Sequence, residues 1–229
     1  MTTNLLYKNV IASHLSAIDL PIDALLCSNA CSGHEAALDK YYTIQFGFKK
    51  NGSCNHALFT FVESIKYFTK RGSKVHCAFL DASKAFDKVL INGFFAKLID
   101  RKFPYHFVSI VYNWYRNLSY AVVWNRLLGD AFQVRCGVRQ GEGILSPYLF
   151  AIYIDDISVK LRNSGYGIRT GNIFAGCLLY ADDIALLSCS CCGLQKLINI
   201  CCLYGKMWDI KFNPVKSQVI TFGADNLNP

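Results

Sequence analysis

The spacing of apolar residues changes several times along the chain, and each change predicts an element. "VHCAFLDA" (Val75–Ala82) is a short apolar run that ends on a carboxylate, which predicts a strand. In "INGFFAKLIDRK" and, after Pro104, "YHFVSIVYNWYRNL", apolar residues return every three or four positions, so both predict amphipathic helices. "YAVVWN" and "AFQVRC" flank "RLLGD" and predict a β-hairpin. "SPYLFAIYIDDISVKLRN" opens with Ser146 as N-cap and Pro147 at the first helical position, then keeps helical periodicity. "GCLLYADDIALLS" (Gly176–Ser188) predicts a second hairpin with Asp182 and Asp183 near its tip. A helical "CGLQKLINICCLYGKMW" follows, and "IKFN" and "SQVITFG" form strands around the turn "NPVK".

Together these predict an α+β fold, an antiparallel sheet backed by helices. There are no internal repeats and no low-complexity linkers. Residues 1–74 are less patterned, and "CSNACSGHEAALDKYY" is an ambiguous loop-to-helix segment.

Composition narrows the function classes. The chain has 229 residues, of which 52% are hydrophobic and 17% charged, so it can bury a large core and is not a disordered segment. No stretch reaches the roughly 18 apolar residues of a membrane span. The N-terminus lacks the basic start, apolar core and cleavage site of a signal peptide. The 11 cysteines are scattered, and "CSCC" (Cys189, Cys191, Cys192) has no second C-x-x-C or H-x-x-x-H to complete a zinc site. They are expected to be free thiols in an intracellular, reducing compartment, nucleus or cytoplasm. The net charge of +8, with basic residues at Lys49-Lys50, Lys70-Arg71, Lys74 and Arg101-Lys102, favours a polyanionic partner such as nucleic acid.

Two adjacent carboxylates inside an apolar run are costly unless paired, hydrogen-bonded or bound to a cation. Asp182 and Asp183 at a hairpin tip can face Asp81 at a strand end if the two elements are neighbours. Such a cluster repels itself and needs a hard cation, Mg²⁺ or Mn²⁺. Two such ions about 3.5–4 Å apart drive in-line phosphoryl displacement. By itself the pair reads as turn residues rather than as a site, since Asp favours turns. Asp155-Asp156 in "YIDDI" are expected on a solvated helix face, and Asp87 at an exposed helix start.

Three segments in order, "AFLDASKAFDKV" (Ala78–Val89), "GVRQGEGILSPYLF" (Gly137–Phe150) and "YADD" (Tyr180–Asp183), resemble the palm motifs of reverse transcriptases, in particular those of non-LTR (LINE-like) retrotransposons. "QFGFKKNGSCNHALF" (Gln45–Phe59) resembles that family's fingers segment, and "IKFNPVKSQVITFG" (Ile210–Gly223) its motif after the catalytic hairpin. The resemblance covers about residues 40–225. It implies a polymerase palm with partial fingers and no thumb: residues 1–74 as partial fingers and N-terminal segment, 75–229 as palm.

The resemblance also implies site roles. Asp81 and Asp182 would be the principal metal ligands, Asp183 a supporting carboxylate, and the Ala82 carbonyl a further metal oxygen. Phe86 matches the bulky position that excludes a ribose 2′-OH; from spacing alone it reads equally as a core aromatic. Arg139, Gln140 and Gly141 match the loop on the incoming nucleotide and templating base. Lys216 matches a proton donor to pyrophosphate, and otherwise reads as an exposed strand-end lysine. Lys49 stands where a triphosphate-binding basic residue is usual, though more often Arg, and Tyr180 would support the hairpin beside the primer end.

The chain also departs from the pattern. Three residues, Glu142-Gly143-Ile144, separate Arg-Gln-Gly from Leu-Ser-Pro where the family usually has two. The family's "YRPISL"-like strand is absent, residues 1–40 do not match, and the chain stops six residues after Gly223, before a thumb or an endonuclease domain. The implied function is an RNA-directed DNA polymerase using two Mg²⁺ or Mn²⁺ ions, an RNA template, a DNA primer and dNTPs, within a larger retrotransposon polyprotein. The alternative is a catalytically silent remnant that at most binds nucleic acid. An RNA-dependent RNA polymerase shares the carboxylates, but Phe86 and the Arg-Gln-Gly loop oppose it.

Overall fold

The computed structural model describes residues 45–47, 52–83, 85–134, 136–138 and 145–223. In chain order these form α1 (Cys54–Thr69), β1 (Val75–Leu80), β2 (Ala82–Ser83), a 3₁₀ turn (Phe86–Lys88), α2 (Ile91–Asp100) and α3 (Tyr105–Arg116). The short strands β3 (Ser119–Tyr120), β4 (Val123–Trp124), β5 (Leu127–Leu128) and β6 (Phe132–Gln133) follow, then α4 (Leu145–Asn163). The chain goes on through β7 (Arg169–Thr170), β8 (Ile173–Phe174), β9 (Cys177–Tyr180), β10 (Asp183–Ser188), α5 (Cys191–Trp208), β11 (Lys211–Phe212) and β12 (Gln218–Phe222).

A four-stranded antiparallel sheet in the order β12-β1-β10-β9 organises the molecule. β1 reads as a nearly continuous apolar run because both of its faces are buried. Ala78 and Leu80 enter the larger core, which takes Leu149, Phe150 and Ile154 of α4 and Leu197, Cys201 and Tyr204 of α5. Val75 and Cys77 enter a second core on the opposite face, where Phe61, Ile65 and Phe68 of α1 pack against them. Alternation along one strand thus serves two layers. α1 starts on a Ser53 cap whose hydroxyl accepts from the His56 N–H, and Ser190 does the same for Gly193 at the start of α5.

The hairpin over residues 119–133 forms in two tiers, β3 with β6 and β4 with β5. Its turn is not "RLLGD" but Asn125-Arg126, both with positive φ (47° and 65°) as a tight two-residue turn requires. α4 begins at Leu145, so Ser146 lies inside the helix and its hydroxyl, buried, has no partner among the described residues, in place of the expected N-cap.

Asp155 and Asp156 do not form a solvated face. Asp155 is 2% exposed, and Arg101 Nη2 reaches its Oδ2 at 3.1 Å and Asp156 Oδ1 at 2.7 Å. Lys97, also buried, meets Asp156 Oδ2 at 2.8 Å, lies over the Trp208 ring and hydrogen-bonds the Tyr153 carbonyl and the Tyr204 hydroxyl. Burial pushes Lys97 down to about 8 against the pull of Asp156, and pushes Asp155 up to about 6 against Arg101. On Asp156 burial acts upward too, but Lys97 and Arg101 outweigh it and hold the carboxyl below its ordinary value. This network ties α2, α4 and α5 together behind the sheet.

The nine cysteines among the described residues are free thiols. No helix among those residues is long and apolar enough to cross a membrane.

Candidate active site

The site lies at the end of the central sheet where β1 leaves it. The last β1–β10 pair is Leu80 with Ile184, so Asp81, which follows β1, and Asp183, which begins β10, stand at the same end of the sheet. β9 and β10 close their hairpin with Tyr180 opposite Asp183, and only Ala181 and Asp182 connect them. A two-residue connection needs a positive φ, and Ala181 takes it, at 57°.

Asp81 is held by the segment between β11 and β12. Its carbonyl accepts from the Asn213 N–H at 2.8 Å, and its own N–H donates to Ser217 Oγ at 3.4 Å. Asn213 shapes that turn by accepting from Val215 N–H through Oδ1 at 3.0 Å. The same turn carries Lys216, whose Nζ lies 3.8 Å from Asp81 Oδ2. The buried Ala82 continues from Asp81 into a two-stranded ladder, paired with Phe212.

Electrostatics shows the same neighbourhood. Burial, then the charges of Asp182 and Asp81, raise the Asp183 carboxyl above its ordinary value, and Lys216 opposes them. Asp81, Asp182, Asp183 and Lys216 are therefore one charge cluster, three acids and one cation, with Tyr180 at its edge.

Among the described residues, no group of three or more His, Cys, Asp or Glu forms a ready-made metal cage. The donor chemistry nonetheless fits a hard divalent cation, which is often held by one or two carboxylates together with substrate phosphates rather than by an all-protein cage. The mutual repulsion acting on Asp183 is what such a cation would relieve.

Phe86 starts the 3₁₀ turn after β2, half-buried, with its ring 4.5 Å from that of Phe150 and tilted 31°. Residues 137 and 138 are pinned to this turn: Gly137 N–H donates to Val89 O at 2.8 Å and Val138 N–H to Phe86 O at 2.7 Å. Gly137 has φ 93°, and a Cβ there would stand 2.9 Å from Asp87 O. Asp87 is exposed on the turn, as expected. Lys49, Arg139, Gln140, Gly141 and Glu142 lie outside the described residues. Asn213, Ser217, Gly137 and Gly47 were missing from the sequence-based site. Asn213 and Gly137 stood inside the motifs as turn-formers, but nothing in the sequence says which backbone they would touch.

A profile of the reverse transcriptase (RNA-dependent DNA polymerase) family matches residues 25–227. The chain belongs to that family. Among curated relatives of this reverse transcriptase chain, the probable RNA-directed DNA polymerase from transposon BS of Drosophila melanogaster is 28% identical over 81% of the chain. The Pol polyprotein from type-1 retrotransposable element R2 of Nasonia vitripennis is 33% identical over 55%, and the RNA-directed DNA polymerase from mobile element jockey of Drosophila funebris 24% over 92%. The resemblance to retrotransposon reverse transcriptases carried by the motifs therefore holds. The chain spans about a fifth of the jockey and BS polymerases, 23% and 20%. Among solved structures, apo telomerase from Candida tropicalis aligns at TM-score 0.61 and 15% identity, covering 84% of this chain and 39% of that one. Telomerase from Candida albicans, in complex with a fragment of telomeric RNA, aligns at 0.59 and 13%, covering 81% and 33%. This likeness shows a polymerase fold.

Proposed function

We propose that this chain is the palm, with part of the fingers, of an RNA-directed DNA polymerase that extends a DNA primer on an RNA template within a larger retrotransposon polyprotein. The observation that carries the reading is the convergence of Asp81 with the Asp182-Asp183 hairpin tip and Lys216, in a chain whose family membership is established. Residues 75–229 form the palm in this reading, and residues 1–74 belong to the fingers.

Asp81, Asp182 and the Ala82 carbonyl would hold divalent cations, with Asp183 in support. Bound there, Mg²⁺ or Mn²⁺ would activate the primer 3′-OH and neutralise charge on the departing pyrophosphate. Lys216, on an exposed turn beside Asp81, supplies positive charge and a proton to the leaving group. Phe86, backed by Phe150, holds an aromatic ring against the sugar so that a 2′-OH collides. Tyr180 supports the hairpin beside the primer end, while Arg139, Gln140, Gly141 and Lys49 contact the nucleotide. The net charge of +8 favours the phosphate backbones of template and primer.

One sequence observation favours a second reading, a silent remnant that only binds nucleic acid. The extra residue in Glu142-Gly143-Ile144 lengthens the nucleotide-side loop and puts an acid near a triphosphate. Misplacement by about 1 Å can cost roughly 100-fold in rate.

Primer extension on an RNA template with dNTPs and Mg²⁺ or Mn²⁺ separates the two. The polymerase reading expects product from the wild type and none from Asp182→Ala. Equal product from both would remove the carboxylates from the chemistry. Nucleic-acid binding without product from the wild type would establish the remnant, and deleting Glu142 should then restore extension if the loop is the defect.

A further inference from the structure

The hairpin that carries Asp182 and Asp183 turns on a strained residue. Ala181 has φ 57°, a left-handed conformation that a residue with a Cβ adopts only when its surroundings impose it. Within the hairpin, the two-residue connection closed by Tyr180 and Asp183 already calls for a positive φ. A second contact on the turn comes from Gln45–Gly47, far upstream in sequence.

Gln45 forms a parallel bridge with Leu179, and the Phe46 N–H donates to Leu179 O at 2.9 Å. Both contacts lie on the open edge of β9, the outermost strand of the sheet. Gly47 then lies flush on the turn itself. A Cβ at that position would stand 2.6 Å from Ala181 N, 3.3 Å from Tyr180 C and 3.4 Å from Ala181 Cα. All three neighbours are backbone atoms, so no side chain could rotate away to make room. Gln45 completes the seat: it is 3% exposed, and its carboxamide has no partner on either atom among the described residues. A buried amide without hydrogen bonds costs free energy. Among the described residues, the segment is held by its backbone contacts and packing rather than by a hydrogen bond of that side chain.

We propose that Gln45–Gly47 clamps the Ala181 turn, and that Gly47 is a positioning residue for Asp182 and Asp183. A hydrogen at Gly47 lets the two backbones touch, and that contact reinforces the left-handed turn and sets where the two carboxylates point. Any larger residue lifts the segment off the turn and frees the tip. The consequence for metal binding rests on the polymerase reading above; the clamp itself does not.

The test compares the full 229-residue chain with Gly47→Ala, Ala181→Gly and the double variant. Amide hydrogen exchange across residues 179–184 reads the clamp, with β1 amides as an internal control for global stability. Mn²⁺ affinity, measured by electron paramagnetic resonance on chain without nucleotide, reads the carboxylates. Gly47→Ala should speed exchange at the tip about tenfold while β1 is unchanged, and weaken Mn²⁺ binding severalfold. In the Ala181→Gly background the turn is no longer strained, so adding Gly47→Ala should change tip exchange less than about threefold. Tip exchange that Gly47→Ala leaves untouched overturns the clamp. So does an equal effect in both backgrounds. If Gly47→Ala does not fold, Ala181→Gly still decides: a tip no more protected than in the wild type would show that the turn carries no strain for a clamp to hold. Failure of the wild type to bind Mn²⁺ would instead count against the metal reading, with the exchange data still deciding the clamp.

Discussion

Lys216 Nζ lies 3.8 Å from Asp81 Oδ2 at the end of the central sheet, beside a cluster of three carboxylates. Lys216 is exposed, at 67%, so the pair contributes little to stability, at most about 1 kcal/mol. In the polymerase reading its role is chemical. Lys216→Ala should leave the melting temperature nearly unchanged while slowing nucleotide addition by roughly 100-fold or more, and Lys216→Arg should recover part of the rate. Thermal unfolding alongside single-turnover primer extension makes the comparison; equal rates for Ala and wild type would return Lys216 to an ordinary surface residue.

Phe86 rests on Phe150 with ring centroids 4.5 Å apart. Truncating it to Ala removes a half-buried ring and an aromatic pair, at a cost of about 1.5–3 kcal/mol. If that ring guards the sugar, Phe86→Val should raise incorporation of ribonucleotides relative to deoxynucleotides by about tenfold or more, since the discriminating contact is steric. The ratio of kcat/KM for UTP and dTTP is the measurement. A stability loss with no change in that ratio would make Phe86 a core aromatic only.

Lys97 and Asp155 give the fold a distinctive pH dependence. Asp155 is pushed up to about 6 by burial, so between pH 4 and 6 the folded chain holds a proton that the unfolded chain has lost, and stability falls as pH rises. Lys97 is pushed down to about 8, so between pH 8 and 10.5 the unfolded chain keeps the proton longer, and stability rises with pH. Each limb amounts to about 3 kcal/mol at 1.36 kcal/mol per pKa unit. Urea unfolding across pH should show both limbs. Asp155→Asn should flatten the acidic one and Lys97→Met the alkaline one. At pH 7 Lys97→Ala, which leaves Asp156 with only part of its charge partner, should cost about 3–5 kcal/mol.

Gly137 has φ 93° and backs onto the Asp87 backbone at 2.9 Å. Gly137→Ala meets both a forbidden conformation and a collision with backbone, and should cost at least about 1–2 kcal/mol, read as a fall in melting temperature. The variant should also loosen the pinning between the Phe86 turn and the segment entering the nucleotide-side loop. Amide exchange at Gly137 and Val138 reports that directly.

The strands and helices that build the site were legible because each has one dominant period. β1 is a nearly continuous apolar run broken only by His76, the β9–β10 hairpin is two apolar runs around Asp182-Asp183, and α5 has a capped start and regular apolar spacing. Asp155 and Asp156 were misread for a related reason. α4 is buried on almost every side, from Leu149 to Leu161, so it has no polar stripe, and two acids in such a helix look like its solvated face. What they meet, Arg101 and Lys97, belongs to α2, and a helix's own periodicity carries no record of charges on its neighbour. The turn at Asn125-Arg126 was missed in favour of the more glycine-rich "RLLGD", because the pairing of Trp124 with Leu127 decides which residues turn.

The sequence by itself determined the order of the main elements from Val75 onward, though not the helix Cys54–Thr69 or the short strands at 169–174. It also determined the presence of carboxylates in apolar surroundings and, through five ordered motifs, membership in the reverse transcriptase family. Local periodicity and motif spacing are properties of neighbouring residues, so they can be read along the chain. Only the tertiary structure decided that Asp81 leaves the sheet beside Asp183, that Asn213 and Ser217 grip the Asp81 backbone, and that Gly47 seats the turn between Tyr180 and Asp182. Those are matters of strand register and backbone contact between distant segments. A shift of one residue in the β1–β10 pairing would turn every side chain to the other face and separate the acids, without altering any local pattern.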